Sequence, residues 1–296
     1  MVPRPVRRGA DVPPPSGLAG ALRAVRMGAW LGWQVQANWT DPLLFFIYSI
    51  ARPLGGALIL VFMFTVVAGG RRGPMLDFFL VGAALWPYVV WTMQGLGWAV
   101  LEEREHFKMI RYVYTAPIPF WAFLVGRGLS MALTGLVPMV LTLLFGVVAL
   151  ALPLVFSPAR AAYALAACLL GLVGLVAMGL LLVGVVFLIS GEAWRLPEAV
   201  GAALYLLSGA IFPVTVLPGW LQGLARVVPV TWWLEAMRRA LLPVGHPRSF
   251  PALDDGMVLA LLGLTVALAA LAGGLVYQAG LWSARRRGIL DAETHY

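Results

Sequence analysis

One cysteine, one lysine and three histidines are scattered over 296 residues, which leaves little material for disulfides, phosphate loops or metal sites. Cys168 stands alone in an apolar run, so neither an intrachain disulfide framework nor a multi-cysteine metal centre is available. It reads as a small buried hydrophobe. A P-loop needs a Gly-Lys-Ser/Thr element, and Lys108 lies between Phe107 and Met109. The sequence therefore has no machinery of that kind for hydrolysing nucleotide. His106, His246 and His295 fall in three different loops or tails. No His-Glu-x-x-His or Gly-x-Ser-x-Gly element occurs, so neither a metal site nor a hydrolytic site is expected.

Charge is scarce as well. Only 11% of the residues are charged and 61% are hydrophobic, with a mean hydropathy of +0.88. Soluble domains carry about a quarter charged residues, so too little polar surface exists here to cover a soluble body. The chain reads as an all-α integral membrane protein. Soluble enzymes, nucleic-acid-binding modules and disordered proteins are excluded. The net charge of +8 fits a bilayer, where basic residues collect on the cytoplasmic side, and no nucleic-acid partner is expected. All 13 acidic residues lie in tails, loops or predicted helix ends. Proton-coupled carriers use ionisable groups inside the membrane, so the driving force is expected from outside the chain.

Residues 1–17 hold Arg4, Arg7 and Arg8 among five prolines and read as a flexible cytoplasmic tail. From Leu18 to Trp39 the pattern turns helical and two-faced. Arg23, Arg26, Gln34 and Asn38 line one side, and Leu22, Val25, Ala29 and Trp33 the other. An interfacial amphipathic helix is expected over 18–39.

Runs of about 20 apolar residues predict about six transmembrane helices. They lie at Leu43–Ala68 (broken by Arg52-Pro53), Phe78–Val100 (kinked near Pro87), Phe120–Leu150, Ala161–Ile189, Glu198 to Phe212-Pro213, and Met257–Trp282. A transmembrane domain thus spans 18–282, followed by a cytoplasmic tail over 283–296. Basic residues at 4–26, 104–111, 195 and 285–287 outweigh those at 71–72, 160 and 226–248, which favours both termini in the cytoplasm. Ala167 with Gly171, Gly263 with Ala267 and Ala270 with Gly274 are small-residue pairs that let helices approach closely.

The stretch from Leu101 to Ser130 reads LEEREHFKMIRYVYTAPIPFWAFLVGRGLS. Charges are dense from Glu102 to Arg111 and give way to aromatics and prolines at the membrane boundary. On physical grounds this is a short amphipathic helix at the interface and a docking surface for a soluble partner. The stretch resembles the signature of the permease subunits of type-2 ATP-binding-cassette exporters. In that family an acidic Glu-Arg-Glu-like segment leads into a coupling helix and a Thr/Ser-x-Pro-Ile-like exit. Here these read Glu103-Arg104-Glu105, Phe107 to Tyr114 and Thr115-Ala116-Pro117-Ile118, followed by Gly126-Arg127. A second block, LSGAIFPVTVLPGWLQGLARVVPVTWWLEAMRRALL from Leu207 to Leu242, looks like the segment after the family's fifth helix. Pro213, Pro218 and Pro229 forbid one continuous span there. Two short re-entrant helices between the fifth and sixth spans are expected over 213–242. Glu235 and Arg239 form a weak i,i+4 pair in the second.

The resemblance implies a multi-pass permease of the plasma membrane, paired with a second permease copy and with separate ATPase subunits. The second copy is expected to form a homodimer, with a heterodimer as the alternative. ATP and Mg would be bound on the partner subunit and no cofactor in this chain. Over 101–117, Glu103, Arg104, Glu105, Lys108 and Arg111 would contact that partner. Phe212, Pro213, Leu217, Trp220 and Thr231 would form an extracellular gate for an amphipathic or hydrophobic substrate such as a drug, lipid or lipid-linked glycan. A secondary carrier or other stand-alone polytopic membrane protein is the alternative reading.

Overall fold

The computed structural model describes residues 17–38, 73–116, 118–189 and 192–288, with isolated positions between 43 and 62. Apart from those isolated positions, the first expected span, Leu43–Ala68, lies outside the described residues, as do the residues of both tails at 1–16 and 289–296. Every regular element among the described residues is helical.

Helix α1 covers Leu18–Asn38. Helix α2, Pro74–Val89, passes through a π-helical turn at Val90–Gln94 into α3, Gly95–Glu105. The short α4 is Ile110–Thr115 and α5 is Phe120–Leu150. Helix α6 runs Pro158–Leu188, α7 Arg195–Leu207, α8 Gly219–Val227, α9 Pro229–Leu241 and α10 Asp255–Arg287.

Four of these stretches are long and apolar enough to cross a membrane: Pro74–Glu105, Phe120–Leu150, Pro158–Leu188 and Asp255–Arg287. They match the second, third, fourth and sixth expected spans. The fifth is shorter than expected. Helix α7 has 13 residues, about 20 Å at the helical rise, and the chain leaves it at Gly209, whose φ of +76° favours glycine. The last span is longer than expected. It continues past Trp282 through Arg285, Arg286 and Arg287 and is capped by left-handed Gly288, so the start of the expected tail is helical.

Local chemistry explains the helix limits. Ser157 accepts a hydrogen bond from Arg160 N ahead of Pro158, and Asp254 accepts one from Met257 N. Pro87 lacks the N–H that an α-helix interior requires, and the π turn follows three residues later. In α5 the Thr142 hydroxyl donates to the carbonyl of Pro138 at 2.7 Å and is thereby satisfied inside the apolar helix.

The α2–α3, α6 and α10 helices run in one direction and α5 and α7 in the other. Glycine decides the closest approaches. A Cβ on Gly184 would press on Val276 and Tyr277, one on Gly280 would overlap the Gly184 carbonyl, and one on Gly273 the Ala177 carbonyl. Gly171 lies flat against Trp233, as its small-residue pairing suggested. Gly263 and Gly274 meet nothing within 4 Å, so small-residue spacing by itself does not mark a contact. The reason is phase: on α10 the face toward α6 repeats through Gly273 and Gly280, seven apart.

Helix α1 packs lengthwise on the first half of α5. Its buried stripe is Gly20, Ala24, Gly28 and Gly32, and a Cβ at Gly28 would overlap the Phe123 carbonyl. Leu22 and Trp33, expected on the apolar face, are turned outward, as is Trp30. Small size, rather than hydrophobicity, selects the packed face here.

Candidate functional site

Two polar regions lie at opposite ends of the bundle, one around α4 and one around α9. At the α4 end, Ile110 plugs into a core formed by Leu96, Val100, Phe123, Val183 and Leu281. Tyr114 packs edge-on to Phe120, and the guanidinium of Arg285 sits 4.8 Å from the Tyr114 ring centroid, tying the end of α10 to α4. The opposite face of α4 is free of the bundle, with Tyr112 72% and Met109 40% exposed. Lys108 precedes this helix with a φ of +52° and is also exposed. Arg111 lies on the first turn of α4, and its side chain is outside the described residues.

The expected partner contacts therefore divide. Lys108 faces outward. Glu103 and Arg104 are buried, and Glu105 is largely covered and pairs with Arg104 at 2.9 Å. Glu103 turns into the bundle, where its Oε1 lies 3.0 Å from Arg127 Nε on α5. Met109 and Tyr112 were missed by sequence reasoning. The signal was present: Ile110 and Val113 mark the inward face, which leaves residues 109 and 112 on the other.

At the α9 end nearly every residue of Pro229–Leu241 is buried. Glu235 Oε1 accepts from Arg239 Nε at 2.9 Å, and its Oε2 accepts from Ser249 N at 3.0 Å. Arg239 also donates to the carbonyls of Leu253 (2.8 Å) and Phe250 (2.6 Å) and to Asp255 (3.0 Å). The pair expected to be weak is thus the centre of a buried network that fastens the 243–254 loop and the start of α10 to α9. Burial means its hydrogen bonds do not compete with water.

Arg238, the next residue, has a different environment. It donates to the carbonyls of Phe78 at 3.3 Å and Ala210 at 2.8 Å, and stacks 3.6 Å from the Phe78 ring centroid. Gly82 lets α2 pass beside Ala210 and Arg238, since a Cβ there would overlap both. His246 Nδ1 lies 3.1 Å from the Pro243 carbonyl and its Nε2 3.1 Å from Asp77 Oδ2 on α2.

The expected gate residues separate in the same way. Phe212 and Leu217 pack together with Val214, Leu221 and Phe250 around Ala225. Pro213 is buried beside them and Thr231 is buried on the first turn of α9. Trp220 on α8 is 70% exposed and belongs to no cluster.

Long apolar helices of alternating direction, with charge confined to their ends, define a multi-pass membrane protein with an all-helical bundle. The family follows from comparison: the model of the ABC-2 family transporter proteins matches residues 72–277, and the chain belongs to that family. That model describes a membrane domain and not a nucleotide-binding ATPase domain, so the chain is a permease without its own ATP hydrolysis. Comparison with curated protein sequences finds no match.

Proposed function

We propose that this chain is the membrane subunit of an ATP-driven exporter, which passes an amphipathic or hydrophobic substrate across the plasma membrane when separate ATPase subunits close beneath it. The observation that carries this reading is α4, whose Ile110 is seated in the core while Met109 and Tyr112 project from the end of the bundle. A helix anchored on one face and bare on the other is suited to receive a push from a soluble partner. Lys108, Met109 and Tyr112 would touch that partner, with Arg111 alongside. Arg104 and Glu105 would shape the turn that presents them, whereas Glu103 faces the bundle and would not touch the partner.

Both termini would lie in the cytoplasm, on the α4 side. Six spans would be completed by residues 43–68 and by α7 with the turn that follows it. The second permease copy would be identical, and ATP with Mg would be bound on the partner. Helices α8 and α9 would re-enter the membrane at the far side, where Phe212, Pro213, Leu217, Trp220 and Thr231 would line the exit. Family membership supports the pairing with ATPase subunits.

The test is Tyr112→Asp combined with Lys108→Glu, two outward positions. Loss of a co-purifying P-loop ATPase and of chain-dependent ATP hydrolysis, with unfolding unchanged, is the expected result. Retention of both would show that α4 is not the docking helix.

A further inference from the structure

The buried Glu103–Arg127 pair has a placement that its sequence position does not reveal. Glu103 lies in the last turn of α3 and Arg127 in the second turn of α5, so the whole 104–126 connection, α4 included, hangs between them. The two side chains are 5% and 0% exposed and meet through one contact, Nε to Oε1 at 3.0 Å. Arg127 Nε, Nη1 and Nη2 and both Glu103 carboxylate oxygens have no hydrogen-bond partner, so the contact is an ion pair without hydrogen-bond geometry. Helix α1 closes the other side: a Cβ on Gly32 would lie 3.1 Å from Arg127 Nη1 and 2.8 Å from Ser130 Oγ. Three elements therefore converge on one guanidinium.

We propose that the Glu103–Arg127 pair is the joint through which displacement of α4 reaches the bundle, with Arg127 as a positioning residue for α1, α3 and α5. This rests on the reading of α4 as the docking helix. A bidentate, fully hydrogen-bonded pair is directional and locks two helices in one geometry. A pair joined by one contact is held mainly by Coulomb attraction, which falls slowly with distance and tolerates a change of angle. It keeps the ends of α3 and α5 together while letting them pivot. Burial keeps that attraction from being screened by water or salt.

The experiment uses the full chain with the P-loop ATPase that purifies with it, labelled at Trp220→Cys in a Cys168→Ala background. Addition of ATP is expected to change the labelling rate at position 220, at the far end of the molecule. Replacement of both partners by apolar residues, Glu103→Leu with Arg127→Met, removes the charges without stranding either one, a change that buried pairs commonly tolerate. The variant is expected to bind the ATPase and hydrolyse ATP while the ATP-dependent change at position 220 is lost. Exchange of the charges, Glu103→Arg with Arg127→Glu, is expected to recover the change and serves where the apolar pair does not fold. A change of full size in the apolar variant overturns the joint and leaves the docking role of α4 standing, as does its loss in a folded, ATPase-bound exchanged pair. Absence of any ATPase with the chain carrying Glu103 and Arg127 overturns the exporter reading and the joint with it.

Discussion

The two ends of the bundle each bury a glutamate–arginine pair, and the pairs are built oppositely. At the α9 end both Glu235 oxygens are satisfied, and Arg239 reaches two carbonyls and a second carboxylate besides. At the α4 end Arg127 and Glu103 share one contact and leave five polar atoms without a hydrogen bond. Desolvating a charge costs several kcal/mol unless its hydrogen bonds are restored. The first arrangement restores them and acts as a clamp across α9, α10 and the loop between. The second restores none of them, and it sits where the chain is bare on its outer face. Ion-pair chemistry is alike in the two places, and the number of satisfied partners separates them.

The sharpest way to break this comparison is to remove the acid from each pair. Glu103→Ala leaves the buried Arg127 without its only paired counter-charge and is expected to destabilise by about 3–5 kcal/mol. Glu235→Ala strands the Ser249 N–H but leaves Arg239 its bonds to Asp255, Leu253 and Phe250, and should cost less, about 1–3 kcal/mol, by denaturant unfolding in detergent. Equal losses would show that the additional partners of Arg239 do not back up its charge. A smaller effect comes from matched glycines. Gly82→Ala presses a methyl on the Ala210 carbonyl, which Arg238 holds, whereas Gly126→Ala presses one on Val25 of α1. Overpacking costs about 1–3 kcal/mol, and Gly82 should lie at the upper end, because α1 can shift as a body on α5. A larger loss at Gly126, read as a drop in Tm, would reverse that ranking. The least effect is expected from Trp220→Ala, within about 0.5 kcal/mol, since an exposed side chain outside every cluster has no packing to lose. A loss above 1 kcal/mol would mean that α8 is packed in a way its exposure does not suggest.

Much of the fold was legible because membrane helices are written in local hydropathy. Phe120–Leu150 was bounded to the residue, and the others were found within a few positions. The fifth span was overdrawn because apolar residues continue from Leu204 to Phe212 while the backbone turns at Gly209. The face of α1 that packs on α5 was not legible, because glycine size governs it and hydropathy does not report size. At the site, the charges and aromatics of residues 101–117 made a short helix at the end of the bundle legible. Which of its residues point outward was not, since Glu103 and Lys108 are both charged and five apart, yet one is buried and the other exposed.

By itself the sequence determined that this is a helical membrane protein, where most of its long helices run, and which two segments resemble the working parts of an ATP-driven permease. These depend on composition and short-range pattern, which neighbouring residues carry. Tertiary structure alone decided which charges are buried and how well each is satisfied. Arg238 and Arg239 are adjacent, yet one is held by the carbonyls of Phe78 and Ala210 and the other by Glu235, Asp255 and the loop. The free energy of a buried charge is set by partners brought from far along the chain, and that set exists only once the helices have packed.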